Sequence, residues 1–451
     1  MSHSLHHDAT ELLAERCEEH HMPGASLAWF HDGQTHFASY GRTDVNDGPR
    51  VTEDTVFGIG STSKVLTATA TMALVEQGKL SLEDRVVKHL PDLPVLDEQT
   101  RDTVTVGQLL DHTAGWVGDG SANTGWGDDA LESAISMLLR KAPQQAPPGT
   151  LFSYNNNAVA VAGHLVATLH GSTFEDAVCD LVLAPLGMTS TFDLVWDIAN
   201  RPHAVGHVVN DESVQSVPLW PTARFLGPAG GAFSSARDIA TFARFQLTGD
   251  VDGSPSISEE SRLLMREQRS VCRSGVEGAG VAWLLGRRGL LRLIEHGGNL
   301  SNVMVSSYSM APEANLAVSV MGNSAAGGPI GQEVRDLLLD AVAGPPEDPL
   351  TVDVTQPDLA EYAGTYVAGQ WEVVVDLVED QLEFRMQLTD VDDLDEAVRE
   401  LFEARRTRIT FIGSDLVGLA GGPPTPVGDF IRDDSGRISF FRTGLRLAAH
   451  R

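Results

Sequence analysis

The pattern of apolar and polar positions changes character three times along the chain. From about Asp8 to His21, apolar residues recur at helical spacing, with Asp8 placed as an N-cap and Met22-Pro23-Gly24 as a stop. The runs "ASLAWFH" and "QTHFASYG" around Asp32-Gly33 predict two strands and a tight turn. A helix is expected from Ser61, and the stretch from Ser81 to about Gln246 reads as helices and loops. Strand-like runs return in "GVAWLLG", "LRLIEHGG", "NVMVSSYSM" and "NLAVSVMGN", and "GQEVRDLLLDAVAG" has the spacing of a closing helix. Early and late strands around a helical middle predict an α+β fold over residues 1–342: an antiparallel sheet flanked by helices, with a helical subdomain. A Pro-rich linker follows at 343–350. Residues 351–451 alternate apolar and polar positions between Gly and Asp turns, which predicts a small all-β, barrel-like domain.

One predicted helix carries chemistry. In "GIGSTSKVLTATATMALVEQGKL", residues Val65, Leu66, Ala68, Met72, Ala73, Leu74 and Val75 leave almost no polar face, so the helix must be buried nearly all round. Only four of the 32 basic residues are lysines, and Lys64 stands in this helix, three residues after Ser61. Positions i and i+3 share a face, so the amine can reach the hydroxyl. Burial lowers a lysine's pKa, and a neutral amine can take a proton from serine and make it a nucleophile. An N-cap serine followed by a lysine that reaches out to solvent is the plain structural alternative.

Two further motifs fit the same chemistry. "PGTLFSYNN" holds Tyr154 and Asn156: a tyrosine beside a lysine can relay a proton, and an asparagine amide can bind a substrate carbonyl. "EHGGNLSN" holds His296 and Gly298 on an expected strand, where glycines let a substrate backbone lie close. The N–H just after these glycines, that of Asn299, and the N–H of Ser61 would supply oxyanion donors. Trp116, Trp126, Trp220 and Phe225 are candidate walls of an apolar acyl pocket, or core.

Composition removes other classes. A net charge of −30 repels phosphate backbones and anionic lipid, so neither nucleic acid nor a membrane surface is an expected partner. Cys17, Cys179 and Cys272 are too few and too widely spaced for a disulfide framework or a zinc ribbon. The N-terminal histidines lack ligand partners at a recognisable spacing, so no metal and no cofactor is expected. No apolar run spans a bilayer, and the N-terminus lacks the pattern of a signal peptide, which makes the expected location cytoplasmic.

Together these motifs resemble the serine β-lactamase and penicillin-binding-protein superfamily, in particular the branch of class C β-lactamases, D-alanyl-D-alanine carboxypeptidases and related esterases. The resemblance covers roughly residues 8 to 342. It rests on Ser61-Thr62-Ser63-Lys64, Tyr154-Asn155-Asn156 and His296-Gly297-Gly298, with support from "QLLDHTAG" and "GPAGGAFSSARDIATFA". It implies that Ser61 attacks an acyl carbon, that Lys64 and Tyr154 share proton transfer, and that Asn156 orients a small-molecule or peptide substrate. The N–H groups of Ser61 and Asn299 would form the oxyanion hole; both are main-chain roles, so the Asn299 side chain need not matter. Histidine at 296 replaces the lysine of β-lactamases, which weighs against efficient β-lactam hydrolysis and toward an esterase or D-amino-acid peptidase. Asn302, often glycine in the family, tolerates a left-handed turn. The C-terminal segment is similar to the lipocalin-like barrels that can lean over the active site in such hydrolases. Two alternatives keep the acyl-enzyme: a thioesterase that cyclises a peptide, and a penicillin-recognising sensor that deacylates slowly.

Overall fold

The computed structural model describes residues 2–120, 122–210, 213–217, 223–346, 357–369, 371–388 and 406–451. The predicted hairpin forms from Gly24–His31 and Gln34–Gly41. Asp32 and Gly33 turn it with φ of 47° and 78°, both left-handed, as a two-residue hairpin turn of type I′ requires. Its first strand pairs with Leu316–Gly322, which pairs with Met304–Ala311. The sheet continues through Leu291–Glu295 and Leu284–Arg288 to short strands at Gly278–Ala279 and Ser270–Val271. Every pairing is antiparallel, so early and late segments meet in one sheet, as expected.

Two helices cover one face. Ser2–Glu19 presents Leu5, Ala9, Leu13 and Cys17, and Gly327–Ala343 presents Ile330, Val334, Leu338 and Leu339. They share a core with Leu27, Trp29, Val318 and Val320 of the sheet. The first helix starts at Ser2, a turn and a half before Asp8. Leu5 extends the buried i, i+4 stripe backward, so packing outweighs the cap that Asp8 could offer. The opposite face carries a larger core built with Ser63–Glu76, Asn156–His170 and Ala236–Thr248. Ser63–Glu76 is buried from Ser63 through Leu74.

The C-terminal segment is a closed barrel of eight antiparallel strands, from Gly364–Ala368 to Arg446–His450, in chain order. Tyr362, Tyr366, Phe430 and Phe441 fill its centre. The expected linker is partly helix, since Gly327–Ala343 runs into it; residues 347–350 lie outside the described residues.

The barrel is hydrogen-bonded into the domain that precedes it. Its last hairpin, Ile438–Thr443 and Arg446–His450, turns at Gly444 and Leu445, with φ of 54° and 67°. A left-handed leucine costs on the order of 1 kcal/mol or more and persists where surroundings hold it. Here Leu445 packs beside Phe152, Tyr154 and Cys272, and its carbonyl accepts the Tyr154 N–H at 2.8 Å. The Leu447 N–H donates to Ser153 Oγ at 3.2 Å. Arg442, held by buried Asp429 at 2.8 and 2.7 Å, donates to the Phe152 carbonyl at 3.0 Å.

Candidate active site

Ser61 sits on a tight turn, Gly60–Thr62, that leads into the buried helix. Ser63 Oγ donates to the Gly60 carbonyl at 2.7 Å and accepts the Ala232 N–H at 3.0 Å, which ties the turn to the segment after Gly227–Gly231. The short strand Gly298–Leu300 lies on its other side, paired with Met304–Ala311. The expected strand continues past Leu291–Glu295 in one register: Glu295 pairs with Ser309 and Gly298 with Ser306, and between them the His296 N–H donates to the Tyr308 carbonyl at 2.9 Å. Glycines at 60 and 298 permit a close backbone approach here. A Cβ at Gly298 would lie 1.7 Å from the Ile59 carbonyl oxygen, and one at Gly60 would lie 2.6 Å from the Asn299 nitrogen. The backbones carrying the N–H groups of Ser61 and Asn299 are therefore in contact. Gly298→Ala is expected to cost about 3 kcal/mol by overpacking. It should also slow acylation of Ser61 more than it weakens substrate binding, a split that thermal melting and steady-state kinetics would read.

Asn302 has φ of 57°, the left-handed turn expected of it. The Asn299 side chain closes that turn: its Nδ2 donates to Asn302 Oδ1 at 2.6 Å and its Oδ1 accepts the Asn302 N–H at 2.7 Å.

Lys64 is fully buried. Its Nζ lies 3.2 Å from Ser61 Oγ and also donates to the Ala229 carbonyl. Burial, and secondarily the Arg446 charge, holds its pKa well below the ordinary lysine range. Lys64 Nζ also lies 4.8 Å from the centre of the Tyr154 ring. Burial raises the Tyr154 pKa, against the lowering effect of its hydrogen bond with Ser61. The phenol is thus neutral, able to pass on a proton it receives rather than to act as a standing phenolate.

His296 is 1% exposed, and burial drives its pKa down to about 3. Its Nδ1–H donates to the Gly297 carbonyl at 2.8 Å, leaving buried Nε2 as an unpartnered acceptor. It is a neutral group behind the site, not a cation for a substrate carboxylate. His112, from the "QLLDHTAG" run, packs its ring 4.5 Å from that of Tyr154. It is buried at φ of 63°, and its Nδ1 accepts the Asn155 N–H at 3.2 Å.

Asn156 Nδ2 donates to Asp119 Oδ1 at 2.6 Å. The same carboxylate is paired with Arg446 of the barrel hairpin, whose guanidinium lies 5.0 Å from the Tyr154 ring centre. These groups line a cavity of about 590 Å³ between the domains. On the side of the preceding domain it is polar, with Asp119, Ser153, Tyr154 and Asn156; on the barrel side it is mainly apolar, with Ala368, Trp371, Val373 and Met386 beside Arg446. The expected aromatic walls lie elsewhere. Trp116 is core, Trp126 packs against Trp196, and Phe225 belongs to a small cluster with Ala122 and Ala134. Trp220 lies outside the described residues. Asp119 and Arg446 carried no sequence signal: each is a single charge in an unremarkable loop or hairpin. His112 had one, its place in "QLLDHTAG", but no role attached to it.

Among the described residues no cluster of His, Cys, Asp and Glu could hold a metal ion, and no helix is long and apolar enough to cross a membrane.

An antiparallel sheet between helices, with a serine and a buried lysine one turn apart beside a tyrosine, defines a serine hydrolase of the β-lactamase fold. The chain belongs to the beta-lactamase family, whose model matches residues 9–343. It is 33% identical over 364 residues to penicillin-binding protein 4 of Amycolatopsis lactamdurans, an alignment covering 77% of this chain and 94% of that one. The crystal structure of SurE matches over 100% of both chains, with a TM-score of 0.79 and 26% identity; a second SurE structure holds D-Leu. The D-amino acid amidase of Ochrobactrum anthropi SV3 shares the fold over 75% of this chain and 98% of its own, at 22% identity and a TM-score of 0.64.

Proposed function

We propose that the protein transfers acyl groups through a Ser61 ester, with an amide or ester of a peptide-like substrate as donor. The observation that carries this reading is the 3.2 Å approach of buried Lys64 Nζ to Ser61 Oγ. Lys64 takes the serine proton as Oγ attacks the carbonyl. The oxyanion meets the N–H groups of Ser61 and Asn299. Tyr154 passes the proton to the departing group, and an acceptor then attacks the ester with the same groups in reverse.

Arg446 and the apolar barrel wall support a substrate with a free carboxylate next to an apolar side chain. Neutral His296 takes no part in holding that carboxylate. A D-configured residue at this place agrees with the D-Leu bound by SurE, which resembles this chain from end to end. Water is the default acceptor, giving a D-peptidase or esterase. A second reading, in which an internal amine of a peptidyl thioester is the acceptor, is favoured by the barrel: Trp371, Val373 and Met386 make one wall of the cavity apolar and favour a bulky acceptor over water.

The test is a substrate panel: p-nitrophenyl butyrate, a D-alanyl p-nitroanilide, its L-isomer, a peptidyl thioester and a penicillin. Turnover of the D-substrate over the L-isomer supports the peptidase reading. Cyclic product from the thioester supports the cyclase, and a long-lived penicillin adduct would point instead to a sensor. An equal rate on D- and L-isomers would contradict the stereochemical part.

A further inference from the structure

A second cavity, of about 510 Å³, opens between the end of helix Glu259–Leu264 and the strands Leu284–Arg288 and Leu291–Glu295. It shares no lining residue with the cavity at Tyr154. Arg266 lines it and is only 8% exposed, with Nε and Nη2 enclosed and without a hydrogen-bond partner. Among the described residues it has no ion pair, in a chain of 62 acidic residues. Burial above all lowers its pKa to about 10; Tyr308 opposes the shift, and the cations Arg262 and Arg292 add to it. The nearby Tyr308 hydroxyl is also buried without a partner.

The carboxylates around the mouth are engaged or outside. Glu277 accepts from Arg287 at 3.0 Å, Glu313 accepts from Arg292 at 2.7 Å, and Glu267 is exposed. A buried guanidinium without a counter-charge costs several kcal/mol, and proteins leave few such groups unsatisfied. Its planar fork of N–H donors matches two oxygens of one anion.

We infer that this cavity binds a small oxyanion, held by the Arg266 guanidinium. Inorganic phosphate and a carboxylate share the required chemistry. The site does not depend on the acyl-transfer reading, since none of its residues belongs to that centre.

The test uses the full chain at constant ionic strength, with sodium chloride as the control salt. Inorganic phosphate and acetate are titrated separately by calorimetry and by thermal melting, and the tighter of the two identifies the source. The wild type is expected to bind one oxyanion at this site and to melt higher as the anion is added. Arg266→Met should weaken binding at least tenfold and abolish that rise. Arg292→Gln, at the exposed mouth, should weaken it severalfold and carries the test if Arg266→Met does not fold. Arg446→Gln should retain it, which separates this site from the arginine beside Tyr154. No saturable binding by the wild type would overturn the assignment. So would binding unchanged in the folded Arg266 or Arg292 variant, or binding abolished by Arg446→Gln.

Discussion

Lys64→Met is expected to leave the protein folded and to slow acylation of Ser61 by roughly a thousandfold or more, the upper range for removing a general base. Methionine is close to lysine in length and has no charge to desolvate, which offsets the lost hydrogen bond to the Ala229 carbonyl, so the buried helix should stay folded. Acylation falls because neither Tyr154 nor His296, the titratable neighbours described at the site, can replace Lys64 as acceptor of the serine proton. Tyr154 is held neutral by burial, and His296 turns Nδ1–H to the Gly297 carbonyl. The pH profile follows from the same residue. The free amine is the active form, so wild-type acylation should rise with pH through the lowered pKa of Lys64 and be lost as pH falls below it. His296 is already neutral above about pH 3 and adds no limb near neutrality. Single-turnover acylation across pH, paired with melting curves, checks both parts. A variant that folds and acylates at the wild-type rate would remove Lys64 from the mechanism.

Arg446→Met is expected to lower kcat/KM by about a hundredfold for substrates with a free carboxylate, the scale of one lost charge-assisted pair of about 3 kcal/mol. For a neutral ester the loss should be much smaller. The effect should fall mainly on KM, because Arg446 meets the substrate rather than the reacting carbonyl. The hairpin itself should stay docked, since it is held by Arg442, Leu445 and Leu447 through bonds that do not involve Arg446. Equal losses on charged and neutral substrates would show that Arg446 acts by holding the barrel in place.

What the sequence made legible follows from how local each signal is. Ser61 and Lys64 are i and i+3 across the turn Gly60–Thr62 and the start of the helix Ser63–Glu76, so local spacing brings them together. The early hairpin was legible because Asp32-Gly33 is a turn by residue type. Asp119 and Arg446 are 327 positions apart and meet only because a barrel hairpin docks beside Tyr154. No periodicity in either segment announces such a contact. The sequence left Trp116 open between pocket wall and core, and it is core; the other domain contributes Trp371 to the cavity. Likewise, the need for glycine at 298 follows from its close approach to the Ile59 carbonyl, which only the assembled fold creates.

The most direct test of the central claim is intact-protein mass spectrometry of the wild type and Ser61→Ala after brief mixing with p-nitrophenyl butyrate. A butyryl adduct on the wild type, mapped to Ser61 and absent from the folded Ser61→Ala protein, is the expected result. Equal adduct on both proteins, or turnover that survives in Ser61→Ala, would contradict it.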